Sequence, residues 1–152
     1  MIVLETQKLC INLKFRSKKI VTITNMLQEK TFENAIFDSA KKCGIDELAK
    51  IIFVFAEDLN GLNPFKSSSE VFDFIDDYKA ENGKSYKDIY SIIIEGINEE
   101  SFFSKKMTKE ELEEQKNNIM SSDEIEKTIK TITEKIAMKM VENTSIQEIS
   151  QA

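Results

Sequence analysis

The sequence predicts an α+β, mostly α fold, with an N-terminal antiparallel β-hairpin packed on a small helical bundle and a C-terminal helical arm. Three observations lead there. Apolar residues alternate from Leu9 to Phe15, whereas later segments repeat them every three or four positions. The 152 residues include only four glycines and one proline, too few for the tight turns of a many-stranded sandwich or barrel. Charged residues make up 32% and apolar residues 41%, which suits amphipathic helices around a buried core. The texture changes after Lys106, where a charged, apolar-poor stretch begins. The chain therefore divides into a hairpin-plus-helices core, 1–106, and a helical arm, 107–152, frayed at its end.

Taken in order, Leu9, Ile11, Leu13 and Phe15 share one face of a half-buried strand. Arg16-Ser17-Lys18-Lys19 reads as a polar tip. Ile20-Val21-Thr22-Ile23-Thr24 is β-branched throughout and reads as the second strand of the hairpin. Asn25 to Lys30 is expected to form a short helical turn. Thr31 is placed to cap a helix running to about Cys43, with Phe32, Ala35, Ile36 and Ala40 on one face and Gly44 as its stop. Asp46 is expected to cap the next helix, whose stripe is Leu48, Ile51, Ile52, Phe55 and Leu59. Phe53 and Val54 occupy its other faces, so it should be the most buried helix. Asn60-Gly61-Leu62-Asn63-Pro64 breaks it.

Ser67 to Glu70 opens a further helix with Val71, Phe72, Ile75 and Tyr78 on one face, ended by Asn82-Gly83. Ser85 starts another, with Tyr86, Ile89, Tyr90, Ile93 and Ile97 as its stripe. Gly96 lies inside it at a cost of roughly 1 kcal/mol relative to Ala. It marks either a close approach of another element or the end of order. Ser101 to Lys106 closes the core. Beyond it, Thr108-x-x-Glu111 and Ser121-x-x-Glu124 are capping boxes. The last helix carries the stripe Ile125, Ile129, Ile132, Ile136 and Met140.

Composition mostly removes enzyme classes. The absence of His takes away imidazole acid–base chemistry, the Ser-His and Cys-His nucleophile pairs and most transition-metal sites. No phosphate-binding glycine loop, dinucleotide fingerprint or hydrolase elbow is present. Asp58-Leu59-Asn60-Gly61 lacks the glycine position and closing Glu of a calcium loop. Asp73, Asp76 and Asp77 are acidic neighbours on a helix with nothing to bury them. The expectation is a non-enzyme without cofactor or metal. A net charge of −6 argues against nucleic acid as a partner. The apolar runs are too short to span a membrane, and Met1-Ile2-Val3-Leu4, ended by Glu5, is too short for a signal core. Cys10 and Cys43 fit buried or half-buried thiols in a reducing cytoplasm.

Three features offer interaction surfaces. Phe102 and Phe103 follow a polar segment and either fold onto the core or anchor a partner. The stripe Ile125, Ile129, Ile132, Ile136 and Met140 must cover itself on the core, on another copy or on a partner helix. The first thirty residues carry six basic against two acidic side chains, in an otherwise acidic chain. Lys14, Arg16, Lys18 and Lys19, at the expected hairpin tip, are therefore candidates for head-to-tail self-association.

Several segments also stand in a set order: the hairpin Leu9 to Thr24 leading directly into helices, the apolar helix Asp46-Glu47-Leu48-Ala49-Lys50-Ile51-Ile52-Phe53-Val54-Phe55-Ala56, the acidic-aromatic Glu70-Val71-Phe72-Asp73-Phe74-Ile75-Asp76, and the closing Ser101-Phe102-Phe103-Ser104-Lys105-Lys106. This order, over about two-thirds of the chain, resembles the tail assembly chaperones of long-tailed bacteriophages, and of related prophage and tail-like bacteriocin elements, of Gram-positive hosts. The resemblance implies a non-enzymatic assembly factor of the bacterial cytoplasm, absent from the finished particle. Such proteins bind the very long helical tape measure protein, keep it soluble and recruit tail tube protein. Many are made in a short form and a frameshifted long form, and Lys105-Lys106 is where slippery codons would lie. The arm after Lys106 departs from the family pattern. The alternative class is a phage- or prophage-encoded regulatory binding module, an adaptor or inhibitor of a host protein.

Overall fold

Alternating burial begins at the second residue of the chain, earlier than the sequence pattern suggests. A computed structural model describes residues 1–119. Its elements are β1 (Ile2–Glu5), β2 (Cys10–Leu13), α1 (Ser17–Met26), α2 (Phe32–Lys41), α3 (Ile45–Phe55), β3 (Ala56–Glu57), α4 (Ser68–Asn82), α5 (Tyr86–Glu99) and α6 (Lys109–Asn117). The α+β, mostly helical class is as expected, and the composition of the sheet is not.

The hairpin is β1–β2, with Ile2 opposite Leu13 and Glu5 opposite Cys10. Ile2, Leu4, Ile11 and Leu13 point into the core, and Val3 and Glu5 face out. Thr6 closes the turn: its backbone amide donates to the Leu9 carbonyl at 2.8 Å and its hydroxyl accepts from the Leu9 amide at 3.1 Å. The other edge of β2 pairs antiparallel with β3, Leu13 opposite Ala56 and Asn12 opposite Glu57. With both edges of β2 taken, Ile20 to Thr24 cannot pair with β2, the partner expected for it.

That segment is helical instead, which corrects the second hairpin strand. Thr22 and Thr24 donate their hydroxyls to the carbonyls of Lys18 and Ile20, at 2.9 and 2.7 Å, so the helix satisfies both. Ile23 is fully buried, and α1 packs on α2 and α3. Burial on those helices outweighs the modest strand preference of β-branched residues.

Local capping chemistry sets the remaining helices much as expected. Thr31 accepts from the Asn34 amide at the start of α2. Ser85 and Asp88 form a reciprocal capping box on α5, and Thr108 accepts from the Glu111 amide on α6. Gly83 ends α4 in the left-handed conformation, φ 61°. Gly44 rather than Asp46 occupies the N-cap of α3, and Asp46 sits in its first turn, 2.9 Å from Lys50. As expected, α3 is the central helix: Leu48, Ala49, Ile51, Ile52 and Phe55 are inaccessible. It stops at Phe55 because the chain passes directly into β3, so Leu59 leaves the helical stripe.

Gly96 of α5 is a close approach. A Cβ there would overlap Cγ1 and Cδ1 of Ile2, a buried residue of β1. Beyond Lys106 the described chain stays with the core. Lys116 of α6 pairs with Glu95 of α5 at 3.0 Å, and Ile119 is buried. The compact unit thus runs past Lys106 to the end of the described residues. The second capping box and the stripe Ile125, Ile129, Ile132, Ile136 and Met140 lie outside the described residues. Among the described residues no helix is long and apolar enough to cross a membrane.

In a free helix Gly→Ala gains about 1 kcal/mol. Here Gly96→Ala is expected to lose about 1–3 kcal/mol to overpacking. Denaturant unfolding checks this, with the loss reduced in an Ile2→Ala background. An equal loss in both backgrounds would show that the Ile2 contact is not the cause.

Candidate functional site

Glu57 is an acid placed where β3 meets the start of α1. Its residue is only 6% exposed, a burial that a carboxylate tolerates when it is paired. Arg16 supplies a fork, with Nε donating to Oε2 at 3.2 Å and Nη2 to Oε1 at 3.1 Å. Lys19 Nζ donates to Oε2 at 3.1 Å. The Arg16 hydrogen bond, joined by Lys19, holds the Glu57 carboxyl below its ordinary range against the opposing effect of burial. The charge was visible in the sequence, but its use was not.

The candidate self-association residues therefore separate. Arg16 and Lys19 are counterions of a buried acid in the same chain, not tip residues of a hairpin. Lys14 and Lys18 remain exposed beside them. No acidic residue lies in the first turn of α1, so this end of the helix keeps a positive edge.

Immediately after β3, residues 58–63 form a tightly hydrogen-bonded loop. Asp58 Oδ1 accepts from the amides of Asn60 and Leu62 at 2.8 and 3.0 Å, and the Asp58 amide donates to the Leu62 carbonyl at 2.7 Å. Asn63 anchors the loop to α3 through the Phe53 carbonyl. Gly61 adopts φ +77°, and a Cβ on it would lie 3.6 Å from Glu57 Oε1. That places the loop beside the Glu57–Arg16 pair. It presents Leu59 at 88% and Leu62 at 66% exposure. Sequence reading placed Leu59 on a helical stripe. The Asn60-Gly61 turn signal, one residue later, could have detached it.

The aromatic pair goes the other way. Ser101, at φ 61°, ends α5 and turns the chain back on itself. Asn98 clamps the return, accepting from the Met107 amide at 2.8 Å. Phe103 is 6% exposed and stacks on Phe37, ring centroids 5.0 Å apart, with Phe32 at 6.0 Å. It is a core residue and not an exposed anchor. Phe102 is half-buried, 6.0 Å from Phe15. Each ring covers core aromatics, which is why neither stands free.

Asp73 and Asp76 lie on the exposed face of α4, and Asp77 is 3.9 Å from Lys8. Among the described residues no group of three His, Cys, Asp or Glu side chains is placed to hold a metal. A cleft of about 220 Å³ is lined by Phe37, Ala40, Ile94 and Ile119. No protein-family model, no curated protein and no solved structure matches the chain.

The depressed carboxyl of Glu57 has a definite pH signature. Its contribution to stability is present above the unfolded-state carboxylate pKa and is lost as pH falls through the lower folded-state value. Glu57→Gln is expected to melt below the wild type at neutral pH, and the gap should close with acidification below the ordinary carboxylate range. A gap that stays constant across that titration would show that the charge is not what stabilises the fold.

Proposed function

We infer that this chain is a non-enzymatic assembly chaperone of the phage-tail type. It binds a very long helical client, the tape measure protein, keeps it soluble, and helps bring tail tube protein to it. The site of action is the cytoplasm of the bacterial host, and the protein is not carried into the finished particle.

One observation carries this reading: the ordered series of segments Asp46 to Ala56, Glu70 to Asp76 and Ser101 to Lys106, without the hairpin Leu9 to Thr24, whose second half is the helix α1. Their places in the fold support it. The first is the buried helix α3, the second is the start of α4, and the third is the turn that seats Phe103 on Phe32 and Phe37. Each of these segments contributes buried side chains to the core, so their order is not that of one surface loop.

The physical logic is that of shielding. A long amphipathic client exposes apolar stripes until it assembles, and such stripes aggregate. A small domain of net charge −6 that covers them adds charge and solubility along the client. Copies set in a row along a client would also meet one another, and Lys14, Arg16 and Lys18 are exposed on the basic edge for such contacts.

Co-expression with a very long helical protein, where one is encoded just downstream of this gene, tests the assignment. The client is expected to be soluble and to co-purify with the chain. A client that remains insoluble and leaves no trace in the purified fraction would refute it.

A further inference from the structure

We propose that α1 is a latched two-state element: Glu57 holds Ile20 to Thr24 as a helix, and release of that latch lets the same residues take, as a strand, the edge of β2 that β3 occupies. The proposal goes beyond the chaperone reading and does not depend on it.

Local chemistry disfavours α1 along most of its length. Its N-cap, Arg16, makes no side-chain cap, and no acidic residue stands in its first turn. Lys18 and Lys19 stand there instead, at the end of the helix dipole that repels cations. Ile20 to Thr24 is β-branched throughout, and such side chains lose rotamer freedom in a helix. No basic residue supports the last turn. Of the ten residues only Ile23 is buried, and Val21 is left 59% exposed.

Tertiary contacts hold the helix against these preferences. Ile23 is buried where α1 packs on α2 and α3. Glu57 grips the other end, accepting from Arg16 at the N-cap and from Lys19 two residues into the helix. The same Glu57 pairs with Asn12 on β2. One residue therefore supports both parts of the helical state, the occupied strand edge and the start of α1.

The alternative state is present in the same sequence. β3 holds its edge of β2 through two residue pairs, Asn12 with Glu57 and Leu13 with Ala56. Ile20 to Thr24 offers a longer run with stronger strand preference. In the register that sets Val21 opposite Leu13 and Ile23 opposite Ile11, both side chains join the inward face of β2, where Leu13 and Ile11 are inaccessible. Val21 then gains the burial that α1 denies it. The two arrangements exclude one another, because β1 fills the remaining edge of β2. Mutually exclusive packings of one segment make a bistable element.

The switch changes the charge that the protein presents. In the helical state Glu57 answers Arg16 and Lys19. In the strand state Arg16 to Lys19 becomes a hairpin tip freed from Glu57, and Lys14, Arg16, Lys18 and Lys19 form one basic patch. Glu57 is thus an internal mask on that patch.

Nuclear magnetic resonance of full-length Glu57→Ala tests the latch. The Cα shifts of Ile20 to Thr24 are expected to move from the helical to the extended side, with new contacts from this segment to Leu9 to Phe15, while α3 and α5 keep helical shifts. A second variant separates switching from general loosening. Val21→Ala with Thr22→Ala, both exposed in α1, raises helix propensity without touching the core, and added to Glu57→Ala it should restore the helical shifts. Helical shifts for Ile20 to Thr24 in Glu57→Ala alone would overturn the proposal. So would a segment that leaves the helix without contacting Leu9 to Phe15, or loss of α1 together with α3 and α5.

Discussion

The pairing of two residues, Ala56 and Glu57, with the free edge of β2 organises the amino-terminal half of this protein. The pairing stops α3 at Phe55, where continued helix would have carried Leu59 into the core. It turns Glu57 toward the start of α1, where Arg16 and Lys19 meet it. It also fills the second edge of β2, so the β-branched run that follows cannot pair with β2, and it folds as a helix on α2 and α3. One short antiparallel contact thus decides the ends of three elements. The Lys14 amide, which donates to the Phe55 carbonyl at 2.9 Å, extends it by one bond on the side of α1.

How much of this was legible in the sequence follows from the range of the interactions. The starts of α2, α5 and α6 and the stop of α4 were legible because caps are local, whereas α2 ends at Lys41 with Cys43, not Gly44, in the left-handed conformation. Thr31 and Asn34, Ser85 and Asp88, and Thr108 and Glu111 act across one turn, and Gly83 acts through its own backbone. Strand pairing is not local. Nothing in Met1 to Glu5 announces that it is an edge strand, and Ala56-Glu57 is too short to show a period. Ile20 to Thr24 has strand chemistry, and the occupied edges of β2 together with burial of Ile23 against α2 and α3 overrule it. Gly96 was legible as a special position, with Ile2 of β1 as its reason.

The candidate surfaces divide along the same line. A count of basic residues cannot reveal that Arg16 and Lys19 are answered by an acid far along the chain, so four cations read as one patch when two are structural. Phe102 and Phe103 read as a possible anchor because a polar segment precedes them, yet the turn at Ser101 returns them to Phe15, Phe32 and Phe37. Leu59 and Leu62 went the opposite way. They were assigned to a helical stripe and to a loop, and the end of α3 at Phe55 exposes both. The exposure of a residue such as Leu59, displaced from an expected helix, is invisible until the helix end is known.

Nuclear magnetic resonance tests the central pairing most directly. The account predicts cross-strand contacts between Asn12 and Glu57 and between Leu13 and Ala56, with helical Cα shifts for Ile20 to Thr24. Extended shifts for Ile20 to Thr24, together with contacts from that segment to Leu9 to Phe15, would contradict it.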